Sequence, residues 1–167
     1  MFRLVQIVAV LLVAITMALS LAHALEYPGK LRLTKEEYLA VQPIYYPGFT
    51  FGGAAEPLGI IALIVLTFTT SAETPFWLTA AALIALIAAH AVYWIMTHPV
   101  NNFWLRDFEL KGASSVFFRS DPLRRNSEGG APPDWTIYRD RWERSHITRA
   151  VLSFLSLVLI VIATVSS

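Results

Sequence analysis

Polar side chains that could do chemistry recur at helical spacing in three apolar parts of the chain. The three sets are Thr16, Ser20, His23 and Tyr27; His90, Trp94, His98 and Asn101; and Trp142, His146 and Arg149. Steps of three or four residues place each set along one side of a helix. Histidine can act near neutral pH as a general base or as a metal ligand. Ionisable groups inside membrane spans are costly and usually face the bundle interior, so the three sets are candidates for a functional site.

Four apolar stretches are predicted to hold these sets in membrane-spanning helices, each of which needs about 20 apolar residues. The predicted spans are residues 4–25, 58–72, 76–96 and 147–165. The composition agrees, because 56% of the residues are apolar and 15% are charged, whereas soluble domains carry about 25% charged residues. We therefore predict an all-α membrane protein, in which residues 1–167 form one domain built on a four-helix transmembrane bundle.

The first apolar stretch has a second interpretation. Its basic start at Arg3, its apolar run and the Ala-His-Ala sequence around His23 also resemble a signal peptide with a cleavage site. The run is long for a signal peptide, which favours a retained helix. Both alternatives stay open for residues 1–24.

Alternation of the four spans places two sizeable loops, residues 26–56 and 97–146, on the same membrane face. These loops hold eleven lysines and arginines, and the opposite face holds only Arg3. The positive-inside rule therefore predicts that the loops are cytoplasmic.

The net charge of +1 gives no reason to expect nucleic acid as a partner, and the absence of cysteine excludes disulfides and thiolate metal sites.

Local signals predict some structure within the first loop. Thr34 and Glu37 have the spacing of a capping box, which predicts a short helix over residues 35–42. The aromatic segment after it, residues 45–51, is broken by proline and glycine. We expect that segment to lie along the membrane interface, where tyrosine and phenylalanine are favoured, rather than to line a pocket.

The topology gathers the polar side chains at the loop face of the bundle. His23, His98, Asn101, His146 and Arg149 are expected there, and His90 is expected deeper in the membrane. Arg149 needs a partner, for which Glu26 is the nearest candidate by topology and Glu56 the next. The candidate ligand-binding side chains are His23, Glu26, Tyr27 and His98.

The histidines also allow a metal-centred alternative. Imidazole is a common metal and haem ligand, so His23, His90 and His98 could hold haem or a metal ion. Their spacing matches no known ligand motif, so we predict no cofactor and keep this alternative behind the others.

Several short segments resemble one known family. They are HALEYPGK at 23–30, YLAVQ at 38–42, HPVNN at 98–102 and WERSHITRA at 142–150. Together they resemble a group of small bacterial integral membrane proteins, a domain of unknown function related to anthrone oxygenases. The resemblance includes the number and order of the helices. It implies a four-helix membrane bundle, located in the bacterial inner membrane.

The resemblance also implies a chemistry, because a few members oxidise polycyclic anthrones with oxygen and without an evident cofactor. The matching positions in this chain are Asn101, Trp142, His146 and Arg149. A histidine would act as general base toward an acidic C–H or phenol, and Asn101 and Arg149 would stabilise the anion. An enzyme of this kind would be a cofactor-independent monooxygenase.

Three hypotheses about function follow. In the first, the bundle binds a small hydrophobic molecule at the cluster of His, Asn and Arg and oxidises it there. In the second, the chain is a non-catalytic accessory subunit that joins partner membrane subunits or copies of itself. In the third, it is a haem- or metal-binding four-helix protein. The first requires a cavity beside His146 and Arg149, and it fails if both side chains are fully engaged within the protein.

Overall fold

The computed structural model describes residues 2–71, 73–104 and 134–167, and within these ranges the chain is helical without any strand. The helices are α1 Phe2–Lys30, α2 Lys35–Val41, α3 Gly48–Gly53, α4 Ala55–Thr69, α5 Glu73–Val92, α6 His98–Trp104 and α7 Thr136–Val165. A 3₁₀ helix, Gln42–Tyr45, follows α2, and a π-helical turn, Tyr93–Thr97, joins α5 to α6. Most of the predicted second loop, residues 105–133, lies outside the described residues. The predicted all-α fold is confirmed.

Four helical segments are long and apolar enough to cross a membrane. They are Phe2–Lys30, Gly48–Thr69, Glu73–Asn101 and Thr136–Val165. Their outer faces carry large apolar side chains with little cover, among them Leu4, Phe68, Trp77 and Val151. Bulky apolar groups exposed along every helix suit a hydrocarbon surrounding better than water.

Small residues allow the four long helices to pack closely at mid-depth. The core there combines alanines such as Ala9 and Ala82 with larger side chains such as Leu63 and Leu86. Ser156 of α7 donates a hydrogen bond of 2.8 Å to the carbonyl of Ala82 on α5. Close approach of small residues and hydrogen bonds between helices are the usual means of association in membranes, where the hydrophobic effect between helices is absent.

The first and last helices extend further toward the loop side than hydropathy predicts. Helix α1 continues through Pro28 to Lys30. Helix α7 begins at Thr136, eleven residues before the predicted span, and the carboxylate of Asp134 accepts the first free N–H of that helix. Hydropathy misses these turns because they are polar, yet they place Lys30 and Trp142 beside each other above the apolar core.

The first loop folds onto the loop end of the bundle. The predicted capping box is present, since the Thr34 side chain accepts from the N–H of Glu37 and the Glu37 carboxylate accepts from the N–H of Thr34. The resulting helix ends at Val41, one residue before the predicted end. Its Tyr38 is fully buried in an aromatic cluster with Trp104 and other rings. The loop therefore forms a second, aromatic core over the apolar one.

Candidate functional site

A cavity of about 560 Å³ lies at the loop end of the bundle, where the polar sets of α1, α5 and α7 meet. Its wall is mainly apolar and is built by residues of α1, the 3₁₀ helix, α3, α4, α5, the π-helical turn, α6 and α7. The lining residues are Thr16, Leu19, Ser20, His23, Tyr45, Tyr46, Phe49, Thr50, Phe51, Gly53, Ala54, Glu56, Pro57, His90, Tyr93, Trp94, Thr97, Asn101, Trp142, His146 and Arg149. A volume of this size is in the range of small-molecule sites.

Two histidines from different helices are in contact in the cavity wall, with their ring planes tilted by 38°. The ring centroids of His23 on α1 and His146 on α7 are 4.1 Å apart. Trp142 lies one turn before His146. The centroid of its ring is 4.9 Å from that of His23 and 4.2 Å from that of His146. The Trp142 indole donates 2.8 Å to Asn101 Oδ1, which ties α7 to α6. Packing and this hydrogen bond hold the two imidazoles in fixed positions.

Aromatic residues of the first loop close the cavity on the loop side. Tyr45 and Phe49 pack against the ring of His23 at 4.4 Å and 4.7 Å. Burial, reinforced by a hydrogen bond to Glu26, raises the pKa of Tyr45, and burial also raises the pKa of Tyr46. Both phenols therefore stay protonated at physiological pH. This segment was expected to lie along the membrane interface rather than to line a pocket. The second part of that prediction was wrong, because Tyr45 and Tyr46 line the cavity.

A network of charged groups lies above this aromatic closure. The Lys30 ammonium is 2.9 Å from Glu26 and 3.5 Å from Glu143, whose side chain is fully buried. Tyr38 donates 2.9 Å to Glu143, and Tyr45 donates 2.6 Å to Glu26. The network joins α1, α7 and the first loop, so it braces the closed loop side of the cavity.

A second network crosses the opposite wall of the cavity, within the spans. One oxygen of Glu56 accepts from Arg149 Nη2 at 2.6 Å, and the other contacts His90 Nδ1 at 2.7 Å. The indole N–H of Trp94 donates 2.9 Å to His90 Nε2. An indole nitrogen can only donate, so His90 Nε2 carries no proton and Nδ1–H donates to Glu56. Glu56 thus links α4 to α5 and α7.

Several lining residues have buried polar atoms without a hydrogen-bond partner in the described chain. They are His23 Nδ1, Thr50 Oγ1, both ring nitrogens of His146, and Arg149 Nε. His23 Nδ1 is 3.8 Å from Glu26, which is too far for a hydrogen bond. Buried polar atoms are almost always paired, so this concentration around one cavity requires an explanation.

The structure brings most of the predicted site residues together. His23, Asn101, Trp142, His146 and Arg149 all line the cavity.

Three predicted ligand-binding residues lie elsewhere among the described residues. Glu26 belongs to the Lys30 network, Tyr27 is outside the lining, and His98 bonds Tyr93 at 3.1 Å. The π-helical turn explains why His98 lies outside the cavity lining. It adds a residue to one helical turn and so rotates the following residues, and such turns are frequent at functional sites.

The predicted first partner of Arg149 was wrong. Arg149 pairs with Glu56, the second choice, and Glu26 pairs with Lys30 instead.

The cavity also contains residues that the sequence patterns did not assign to the site. Glu56 and Thr97 belong to no polar stripe, and Tyr46 and Thr50 lie in the loop. For Glu56 a signal existed, since it is a carboxylate two residues before the span predicted at 58–72 and was the second candidate partner of Arg149.

Among the described residues, no group of three or more His, Asp or Glu side chains is placed to hold a metal ion. Of the three histidines in that alternative, His90 has both nitrogens engaged and His98 bonds Tyr93. The haem or metal hypothesis therefore stays a prediction.

Comparison of the chain with protein-family models, with curated proteins and with solved structures found no match.

Proposed function

We propose that this protein binds one small, mainly apolar molecule that presents a hydrogen-bond-accepting oxygen, in the cavity beside His146 and Arg149. The observation that carries the proposal is the set of unpartnered atoms around the cavity. Arg149 Nε–H can only donate, and the His146 ring and Thr50 hydroxyl can also donate. A ligand oxygen would satisfy atoms whose isolation costs about 1–3 kcal/mol each.

The apolar remainder of the wall favours an aromatic ligand body. Phe49 and Leu19 lie on one part of the wall, and Tyr93 and Trp94 on another. The aromatic rings of Phe49, Tyr93 and Trp94 can pack against a flat partner, and each such pair gains about 0.5–1.5 kcal/mol beyond area burial. A quinone or a phenol combines a flat apolar body with the required oxygen.

The accessory-subunit hypothesis is less well supported. It requires that the polar stripe serve only to join helices, which would leave His146 and Arg149 fully engaged. Instead a cavity lies beside both, and neither His146 nitrogen has a partner in the described residues.

A matched pair of probes tests the binding proposal. Menadione and 2-methylnaphthalene share one carbon skeleton, and only menadione has carbonyl oxygens. The chain has no cysteine, so menadione forms no thiol adduct. We expect menadione to bind to protein in lipid nanodiscs at least about tenfold more tightly, because one hydrogen bond from a charged donor contributes about 1.5–3 kcal/mol.

Variants locate the binding. His146→Phe keeps a ring at this position but removes both nitrogens, so it should reduce the preference for menadione. Thr148→Val changes an exposed residue of the same helix outside the cavity and serves as the control. Equal affinity of the wild type for both probes would refute the proposal. Native mass spectrometry of protein purified from its own membranes adds a direct search for a retained ligand.

Oxidation of the ligand is a second candidate function, which the resemblance to anthrone oxygenases implies and the unpartnered His146 ring supports. His146 would accept a proton from the acidic ring C–H. The carbanion would then be oxidised by O₂, so that R₂CH₂ and O₂ give R₂C=O and H₂O. Asn101 is held by Trp142 at the cavity wall, where its amide could stabilise the anion.

Anthrone itself tests this second candidate. Oxygen uptake should match anthraquinone formation one to one, and His146→Phe should abolish both while Thr148→Val leaves them unchanged. If anthrone binds but no oxygen is consumed, the protein binds the ligand and the oxygenase proposal is refuted.

A further inference from the structure

In the described part of the chain, the cavity wall is buried toward the loops and exposed at the side of the bundle. Among the described residues of its wall, four are exposed, and all lie at the junction of α3 and α4. They are Phe51, Gly53, Ala54 and Pro57. On the loop side Tyr45 and Trp142 are buried around His23, beneath the Lys30 network.

The opening lies less than one hydrocarbon thickness from the turn between α4 and α5, which ends two of the apolar helices. Pro57 and Gly53 precede the end of the span at Thr69 by 12 and 16 residues, or about 18 and 24 Å at the rise of an α-helix. The facing wall residue His90 follows Glu73 by 17 residues, or about 26 Å. A hydrocarbon core about 30 Å thick that begins at the α4–α5 turn would therefore include all three positions.

From these observations we propose that the cavity takes its ligand from within the bilayer through this lateral opening, and that the ligand is a neutral, membrane-dissolved aromatic molecule. A charged molecule would have to cross hydrocarbon to reach the opening, which is costly. This inference rests on the proposed binding function and adds the route and the class of ligand to it.

The glycines of α3 provide a matched test of the route. A Cβ atom at Gly53 or at Gly48 would meet no other atom within 4 Å, so both positions accept a larger side chain. Gly53 lines the opening, and Gly48, at the other end of the same helix, does not. A bulky group at residue 53 should therefore obstruct the entrance, and the same group at residue 48 should not.

The measurement is stopped-flow fluorescence with menadione in lipid nanodiscs, in which quinone quenching reports on Trp94 and Trp142 in the wall. Gly53→Phe should slow association and dissociation each by at least about tenfold, with Kd changed less than about threefold, because an obstruction raises the barrier equally in both directions. Gly48→Phe should have wild-type rates.

A second variant keeps the test valid if Gly53→Phe fails to fold. Because the chain has no cysteine, Gly53→Cys and Gly48→Cys can each be fully alkylated with N-phenylmaleimide after folding. Menadione binding should then be slow only in the adduct at residue 53. Equal rates in the two adducts would overturn the lateral route.

A charged probe tests the ligand class. 1,4-Naphthoquinone-2-sulfonate keeps the quinone ring but carries a permanent charge, so it should not bind within the time in which menadione saturates the site. Equally rapid binding of the sulfonate would overturn the inference and place the entrance at the aqueous loop face. Absence of menadione binding in the wild type would instead refute the proposed function and the inference with it.

Discussion

Replacement of Glu56 by glutamine should destabilise the protein strongly, because it leaves the positive charge of Arg149 buried without a counter-charge. Glu56 is 3% exposed and accepts from Arg149 at 2.6 Å and from His90 at 2.7 Å. Glutamine has nearly the same shape, so packing changes little. It can accept only with its single oxygen, and its NH₂ group would face a second donor.

The expected cost follows from these contacts. Removal of one partner from a buried ion pair costs about 3–5 kcal/mol. At about 1.4 kcal/mol for each factor of ten, Glu56→Gln should lower the folding equilibrium constant roughly 140- to 3,700-fold. Glu73 is exposed at the start of α5, so Glu73→Gln should change stability by less than about 0.5 kcal/mol.

A double-mutant cycle isolates the pair. Arg149→Met removes the charge and keeps an extended side chain, so the double variant Glu56→Gln/Arg149→Met has no uncompensated charge. It should be more stable than Glu56→Gln alone by about 2 kcal/mol or more. The free energy of unfolding is measured by SDS titration in mixed micelles, followed by far-ultraviolet circular dichroism.

Two results would contradict the reasoning. A cost below about 1 kcal/mol for Glu56→Gln would mean that water or lipid headgroups already solvate Arg149. Strict additivity of the two substitutions would mean that the pair contributes no coupling energy, although its atoms are 2.6 Å apart.

Two further predictions concern the loop-side cluster and the helix packing. Burial and Glu143 raise the pKa of Tyr38 above its ordinary value near 10, so the folded protein keeps a proton that the unfolded chain loses, and stability should fall as the pH rises above about 10. Tyr38→Phe should remove this part of the slope of unfolding free energy against pH, measured between about pH 9 and 11. An unchanged slope would show that other groups cause the pH dependence. Ser156→Ala should cost about 0.6–1.7 kcal/mol in SDS unfolding, because Ser156 donates to Ala82 of another helix. Ser153→Ala is the control, because Ser153 bonds only its own helix, and an equal loss in both variants would show that the interhelical bond contributes nothing.

Local signals were sufficient to predict the four apolar helices and the small helix of the first loop. A capping box acts over three residues, and Thr34 and Glu37 form it as expected. Apolar length is likewise a property of each segment. The ends of the long helices were harder to predict, because the first turns of α7, from Thr136, are polar and their stability comes from contacts with other parts of the chain.

The polar stripes predicted which helices would contribute to a site, and His23 and His146 do meet there. The π-helical turn altered the second stripe, which runs from His90 to Asn101, since it brought Thr97 to the wall and directed His98 toward Tyr93. Whether a helical turn contains an extra residue depends on how α5 and α6 pack, and no residue pattern in the turn predicts it.

The sequence by itself determined an all-helical chain with four segments suited to a membrane, because hydropathy and capping act between near neighbours. Only the tertiary structure decided that Arg149 pairs with Glu56 and not with Glu26. Arg149 and Glu56 are 93 positions apart. Which ionisable groups meet, and where a cavity remains between them, depends on how the helices rotate and tilt against one another, and hydropathy does not encode those angles.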